Sequence, residues 1–175
     1  MNKLPTQEYL QECFDYDLLT GVLVWKTRPV THFKDSRSCN SWNVRLAGKT
    51  ITYVDSTGYL HVGINNRDYR AHRLIWKLTQ GSDPLCIDHI NGDRNDNRIT
   101  NLREVTYQQN NYNSMVRKHN MLGIKGVSMT SNGRYRARIR HNNTAQHLGT
   151  FDTKEEAHAA YCTAAHIYHG EYAHE

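Results

Sequence analysis

The chain has 175 residues, which suffice for one ordinary domain or two small ones and exclude a large multidomain assembly. Its formal charge of +5 and isoelectric point near 9.0 favour a polyanionic partner, although many proteins of similar charge never bind nucleic acid. The four cysteines are widely spaced and no apolar run approaches the roughly 18 residues of a membrane span, so we expect no zinc ribbon, disulfide framework, export or membrane insertion.

The N-terminal segment predicts a short helix followed by a strand. Thr6 can cap a helix that ends at Cys13 or Phe14. Residues 22–25 are apolar and follow a turn, which predicts a strand. Residues 27–50 are polar and weakly patterned, and we expect them to form a loop.

The next segment predicts a hairpin that leads into a helix. Residues 58–70 alternate in the manner of two strands joined by the Asn65-Asn66 turn. Residues 72–78 then have helical spacing, and Gly81 ends the helix.

Residues 86–113 carry the densest set of chemically active side chains. A short apolar strand delivers Asp88 and His89, a polar loop and a second strand follow, and Thr106 caps a helix that carries Asn110. A hard divalent cation prefers oxygen ligands, which Asp88 and the Asn110 amide would supply, and His89 could deprotonate a water molecule. Because successive strand residues face opposite ways, we predict a bulge or a strand end at Asp88 and His89.

This pattern resembles the HNH, or ββα-metal, nucleases, and within them the phage and intron-encoded homing endonucleases with Asn at the third motif position. The resemblance covers about residues 5–115 and depends on Asp88-His89, Asn91-Gly92-Asp93, Asn97, Asn101-Leu102-Arg103, Thr106 and Asn110. It implies His89 as general base and Asp88 and Asn110 as metal ligands. It also implies that Asn101 holds the backbone or ring of His89, and that Arg73 stabilises the scissile phosphate. The lack of a third-position His favours one Mg²⁺ or Mn²⁺ ion and disfavours zinc.

Other histidines have no carboxylate at ligand spacing, and we assign them packing roles without chemistry. These are His61, His72, His158, His166 and His169.

The C-terminal third is locally basic. Residues 116–141 contain seven Lys or Arg and no acidic residue. We predict a basic linker at 116–122 and then three strands, of which residues 134–140 alternate with period two. A capping box at Thr153 predicts a helix across one sheet face that ends before Gly170. The other face would carry four guanidinium groups, which repel one another unless phosphates or bases neutralise them; a solvated basic strand that blocks edge pairing is the alternative.

Residues 123–173 resemble the plant ethylene-response-factor, or Apetala-type, DNA-binding domain. The resemblance depends on residues 126–127, 135–139, 147–151 and 155–161. In that family a three-stranded sheet lies in the DNA major groove. By position it implies base or phosphate contacts from Arg138, Arg140 and His147, with Ser128, Arg134 and Arg136 beside them. Asn132 and His147 stand where plant members often have Trp, and Arg138 replaces an acidic residue, so the family's target sequence is not transferred.

We therefore predict an α+β chain with a nuclease domain at 1–115, whose ββα-metal motif spans 86–114, a linker at 116–122 and an Apetala-type domain at 123–175. The predicted function is metal-dependent hydrolysis of phosphodiester bonds in double-stranded DNA, in the cytoplasm, with no protein or membrane partner implied. The resemblance implies a phage or intron-associated mobile endonuclease. The alternatives are a DNA-binding regulator on an idle nuclease scaffold and a generic RNA-binding protein.

Overall fold

The computed structural model describes residues 3–116 and 120–173, and the chain forms two compact units, Met1–Glu104 and Val105–Glu175. Helices and short antiparallel sheets alternate, which confirms the predicted α+β class. The α-helices are α1 (Gln7–Cys13), α2 (Ser36–Leu46), α3 (Ala71–Gln80), α4 (Tyr107–Tyr112) and α5 (Lys154–His169), and short 3-10 helices span Val30–His32, Ile99–Asn101 and Gly170–Tyr172. The strands are β1 (Phe14–Tyr16), β2 (Leu23–Trp25), β3 (His61–Ile64), β4 (Arg67–Arg70), β5 (Ile87–His89), β6 (Leu102–Glu104), β7 (Val127–Met129), β8 (Tyr135–His141) and β9 (Thr144–Phe151).

The first unit is built around one apolar core. Leu10 of α1, Leu23 of β2 and Ile75 of α3 are fully buried in it. Thr6 accepts a hydrogen bond from the Tyr9 backbone at 3.3 Å, which confirms the predicted start of α1. Strands β3 and β4 form the predicted hairpin, and both residues of its turn have positive φ.

The expectation that residues 27–50 form a loop is wrong. Asp35 caps α2 by accepting a hydrogen bond from the Ser38 backbone at 2.7 Å. Cys39 is the buried residue of the helix, and Trp42 packs edge-on against Trp25 with 4.8 Å between ring centroids. These tertiary contacts stabilise the helix, and the sequence of residues 36–46 shows no clear helical period that would have predicted it.

Strands β5 and β6 pair antiparallel in the register Ile87↔Glu104, Asp88↔Arg103 and His89↔Leu102. All three β5 residues are buried, and β5 ends at His89, which confirms the predicted strand end.

The second unit packs α5 against the sheet β7-β8-β9. Ala137 and Ile139 of β8 are buried together with Ala157, Tyr161 and Ala165 of α5. Capping boxes start α4 at Thr106 and α5 at Thr153, as predicted. The middle of the predicted linker, residues 117–119, lies outside the described residues. Within the described ranges, no helix is long and apolar enough to cross a membrane.

Candidate active site

A buried acid and a buried histidine lie side by side at the end of β5. Asp88 is 6% exposed and His89 is 4% exposed. Arg103 lies opposite Asp88 on β6 and donates from Nε at 3.0 Å and from Nη2 at 2.8 Å, both to the Asp88 Oδ2 atom. This charge-assisted pair fixes the direction of the Asp88 carboxylate. Arg103 had no predicted role of its own.

A side-chain amide orients the His89 ring. The Nε2 atom lies 3.3 Å from Asn97 Oδ1, and the Asn97 amide nitrogen donates to the Asn95 carbonyl at 3.2 Å. Since Asn97 therefore presents its oxygen, Nε2 is the ring nitrogen that carries hydrogen. Burial lowers the pKa of His89 and outweighs the opposing effects of the Asn97 bond and nearby carboxylates. The ring is thus held neutral near pH 7, which is the form a base requires.

The β1–β2 hairpin holds Asn97 in place. The Tyr16 hydroxyl donates to the Asn97 carbonyl at 2.9 Å. Gly21 follows β1 with φ +74°, and a Cβ atom there would lie 2.5 Å from the Arg98 nitrogen and 2.7 Å from the Asn97 carbonyl carbon. Only glycine permits both this φ and this approach.

Asn101 organises the loop that follows His89. Its Oδ1 accepts from the Asn91 backbone at 3.0 Å, and its Nδ2 donates to Asn91 Oδ1 at 3.0 Å and to the Asp96 carbonyl at 2.8 Å. Its own carbonyl accepts from the Ile90 backbone at 2.9 Å. These bonds tie down the chain immediately after His89.

A second histidine and a tyrosine neighbour His89. The His72 ring lies edge-on to the His89 ring with 5.1 Å between centroids. Tyr59 lies 6.1 Å from the His89 ring, and its own ring is covered by Arg70 at 4.1 Å and Arg94 at 4.9 Å. Burial, followed by the charges of His89 and Arg70, lowers the pKa of His72 well below its ordinary value. His72 therefore contributes a neutral ring, and its proximity to His89 had no signal in the sequence.

Two further predictions about the first unit have structural outcomes. Arg73 is half-buried and donates from Nη2 to the Pro84 carbonyl at 2.8 Å, so its phosphate contact stays a prediction. His61 lies 2.9 Å from Asp55 through Nε2 and is hydrogen-bonded to Asp68 through Nδ1. The expectation that His61 has no carboxylate partner is therefore wrong.

Asn110 lies in the first turn of α4, where the Thr106 capping box sets the register, and it is half-buried. The described residues contain no group of three His, Cys, Asp or Glu side chains that could hold a metal. The Asp88 carboxylate is a ligand of the class that Mg²⁺ and Mn²⁺ accept with water completing the shell, and a metal contact from the Asn110 amide oxygen stays a prediction. The donor chemistry thus fits a hard divalent cation and does not fit structural zinc.

The second unit presents a basic sheet face. Arg138 and Arg140 are exposed, whereas Ala137 and Ile139 between them are buried, as the alternation predicts. His147 is the cross-strand partner of Arg138. On the other side of β8, Ser128 is the cross-strand partner of Arg136, and the Ser128 Oγ and Arg136 Nε atoms are buried without a hydrogen-bond partner.

Arg134, one of the four guanidinium groups predicted on this face, has an acidic partner. Its Nε donates to Asp152 Oδ1 at 2.7 Å, and its Nη2 donates to the Thr150 carbonyl at 3.2 Å. It also lies just before β8, which begins at Tyr135. An acidic side chain of the protein itself therefore pairs with this guanidinium group, and the DNA contact of Arg134 stays a prediction.

The model of a family described as HNH endonuclease matches residues 69–112, which include β5, β6 and α4. The chain contains an HNH endonuclease domain. It is thus an enzyme of the nuclease class, and domains of this family are generally dependent on a divalent metal.

Relatives agree with this HNH domain. An uncharacterized HNH endonuclease of Acanthamoeba polyphaga mimivirus is 29% identical over 139 residues, which are 78% of this chain and 71% of the relative. A second such protein of the same virus is 31% identical over 54% of this chain and 27% of its own length. DNA endonuclease I-HmuI of Bacillus phage SP01 is 29% identical over 49% of this chain and 53% of its own length. The matched segments thus span about half or less of the latter two relatives. No solved structure matches the chain.

Proposed function

We propose that the protein hydrolyses phosphodiester bonds in double-stranded DNA with one divalent cation, Mg²⁺ or Mn²⁺. The observation that carries this proposal is the buried Asp88-His89 pair at the end of β5, inside the segment that matches the HNH family. A buried carboxylate and a neutral imidazole with a fixed tautomer are the groups that water activation requires.

The proposed roles follow from the hydrogen bonds of each side chain. Asp88 and Asn110 would hold the cation, and Arg103 orients the Asp88 carboxylate toward it. His89 accepts a proton from the attacking water, with its ring aligned by Asn97. A bound divalent cation would polarise the phosphate and stabilise the charge on the leaving oxygen.

Negative charge develops on the phosphate in the transition state, and cations beside His89 would stabilise it. Arg73 remains our sequence-based candidate. Arg70 and Arg94 are additional candidates because both cover Tyr59, whose ring neighbours the His89 ring. Asn101 supports the site by holding the loop after His89.

We further propose that the β7-β8-β9 sheet binds duplex DNA as an Apetala-type module. Exposed Arg138 and Arg140, with His147 opposite Arg138, offer cations and donors on one face. Ser128 and Arg136, which are cross-strand partners on β7 and β8, are the further DNA contacts that we propose beside them. A phage or intron-associated mobile endonuclease is the role we propose, and the phage relative supports it.

The test is cleavage of supercoiled plasmid by wild type, His89→Ala and His158→Ala with Mg²⁺ or Mn²⁺, and by wild type in EDTA. Loss of a general base lowers the rate by about 10²–10⁴-fold, so we expect cleavage by wild type and His158→Ala only. His158, a half-buried histidine of α5, controls for the loss of a ring. Equal cleavage by His89→Ala would refute the assignment of the base, and DNA binding without any cleavage would favour the regulator.

A further inference from the structure

An arginine in the first unit is buried inside a box of aromatic rings. Arg28 is 4% exposed. Its guanidinium carbon lies 4.8 Å from the ring centroid of Trp42, 4.9 Å from Phe33, 5.6 Å from Tyr9 and 5.7 Å from Trp25. Rings at these distances stabilise a cation through their quadrupoles.

The hydrogen-bond partners of this cation are all neutral. Its Nη2 bonds the Tyr9 hydroxyl and lies 3.4 Å from Asn65 Oδ1. Its Nε donates to His32 Nδ1 at 3.2 Å, so the His32 hydrogen is on Nε2, which lies 2.7 Å from Glu12. Glu12 is therefore separated from the guanidinium by a neutral imidazole. Among the described residues, no carboxylate lies within salt-bridge distance of Arg28.

An open cavity of about 530 Å³ adjoins this cation, and two further arginines line it. Arg45 comes from α2 and Arg67 from the start of β4, and both are exposed. One acid, Asp68, also lines the cavity, but its carboxylate is already hydrogen-bonded to His61. The cavity wall therefore carries an excess of positive charge.

A buried cation without a carboxylate is unfavourable relative to an apolar side chain of similar volume. The burial of Arg28 is explained if the cavity binds an anion that supplies the missing negative charge. Guanidinium groups match phosphate oxygens in geometry and in hydrogen-bond donors, and three of them around one cavity favour a tetrahedral oxyanion. None of the residues that line this cavity belongs to the candidate active site.

We propose that this cavity, the Arg28 pocket, binds a backbone phosphate of the DNA other than the one that is cut. The proposal rests on the proposed function only in taking DNA as the ligand. Arg28 is the fixed donor at the base of the pocket, and Arg45 and Arg67 are the movable donors at its rim.

The test measures affinity for a DNA duplex in EDTA at several salt concentrations. The variants are Arg45→Ala/Arg67→Ala and the control Arg37→Ala, which removes an exposed arginine of the same helix α2 that does not line the pocket. Loss of one phosphate contact reduces the slope of log affinity against log salt by about 0.9, so the affinity change between about 50 and about 200 mM salt shrinks by about 3.5-fold. Arg37→Ala should keep the wild-type slope. Equal slopes for the double variant and the control would overturn the proposal.

A second measurement uses inorganic phosphate alone and the fluorescence of Trp25 and Trp42, which contact Arg28. We expect phosphate to cause a saturable change of tryptophan fluorescence in wild type. This change should be weaker in the double variant and absent in Arg28→Met. Phosphate binding with an unchanged DNA salt slope would assign the pocket to a free anion and overturn the DNA proposal. Because EDTA prevents metal-dependent cleavage, failure of the catalytic proposal would leave both measurements unchanged. If Arg28→Met does not fold, the double variant still decides the outcome, since both its positions are exposed.

Discussion

Replacement of Gly21 by alanine tests how the β1–β2 hairpin supports His89. A Cβ atom at φ +74° introduces left-handed strain of about 1–2 kcal/mol. It would also lie 2.5 Å from the Arg98 backbone nitrogen, and a displaced backbone adds about 1–3 kcal/mol. Gly21→Ala should therefore lower the free energy of unfolding by about 2–5 kcal/mol.

Gly48→Ala is the matched control. Gly48 has φ +78°, but nothing lies within 4 Å of the position that a Cβ atom would take, so only the strain of about 1–2 kcal/mol applies. Urea unfolding followed by tryptophan fluorescence reports on the first unit, because all three tryptophans, Trp25, Trp42 and Trp76, lie in it. Plasmid cleavage below the unfolding transition should fall in Gly21→Ala and persist in Gly48→Ala. Equal stability and equal cleavage in the two variants would refute the idea that Gly21 positions Asn97.

Three other predictions concern charge. Arg103→Met removes two donors from Asp88 Oδ2 and should destabilise the metal-free protein by about 3–5 kcal/mol. Mg²⁺ at 100 times its wild-type Kd should stabilise wild type by about 2.7 kcal/mol and Arg103→Met by less, because the variant no longer orients the Asp88 carboxylate; urea unfolding with and without Mg²⁺ measures both effects. Arg138→Ala/Arg140→Ala should weaken duplex binding and reduce its salt slope by about 2, measured in EDTA. Burial lowers the pKa of Lys125 to about 8, whereas the ordinary value is 10.5. Between these two pH values the unfolded chain binds more protons than the folded chain, so the free energy of unfolding rises with pH. After allowance for the partial exposure of Lys125, wild type should gain about 1 kcal/mol relative to Lys125→Met over this range.

Each of these has a contradicting outcome. An equal gain of stability with Mg²⁺ in wild type and in Arg103→Met would separate Arg103 from the metal site. The control for Arg138→Ala/Arg140→Ala is Lys154→Ala, which removes an exposed cation at the start of α5. If both variants change the salt slope of duplex binding equally, the sheet face that carries Arg138 and Arg140 is not part of the DNA interface. Parallel stability curves for wild type and Lys125→Met above pH 8 would show that Lys125 titrates as in the unfolded chain.

The sequence predicted those elements whose determinants are local. Thr106 and Thr153 each bond the backbone three residues on, so their capping boxes are visible in the sequence and set the starts of α4 and α5. The alternation around Ala137 and Ile139 is likewise local, because strand side chains face opposite ways in turn. Asp88 and His89 were found for the same reason, as neighbours in one short motif.

What the sequence did not predict depends on contacts between distant residues. Helix α2 is stabilised by the packing of Trp42 against Trp25, and no local sequence pattern indicates that these two residues are in contact. Asn97 and Arg103 acquire their roles because a loop and a strand bring them to His89 and Asp88. The Arg28 pocket combines segments that lie tens of residues apart, which no local pattern could indicate.

Binding of Mn²⁺ to the full chain in the absence of DNA, followed by electron paramagnetic resonance, tests the central claim most directly. We expect one bound ion per chain in wild type, loss of binding in Asp88→Asn and weaker binding in Asn110→Ala, with binding kept in His158→Ala. Binding of wild-type strength in both Asp88→Asn and Asn110→Ala would contradict the claim that these two residues hold the catalytic cation.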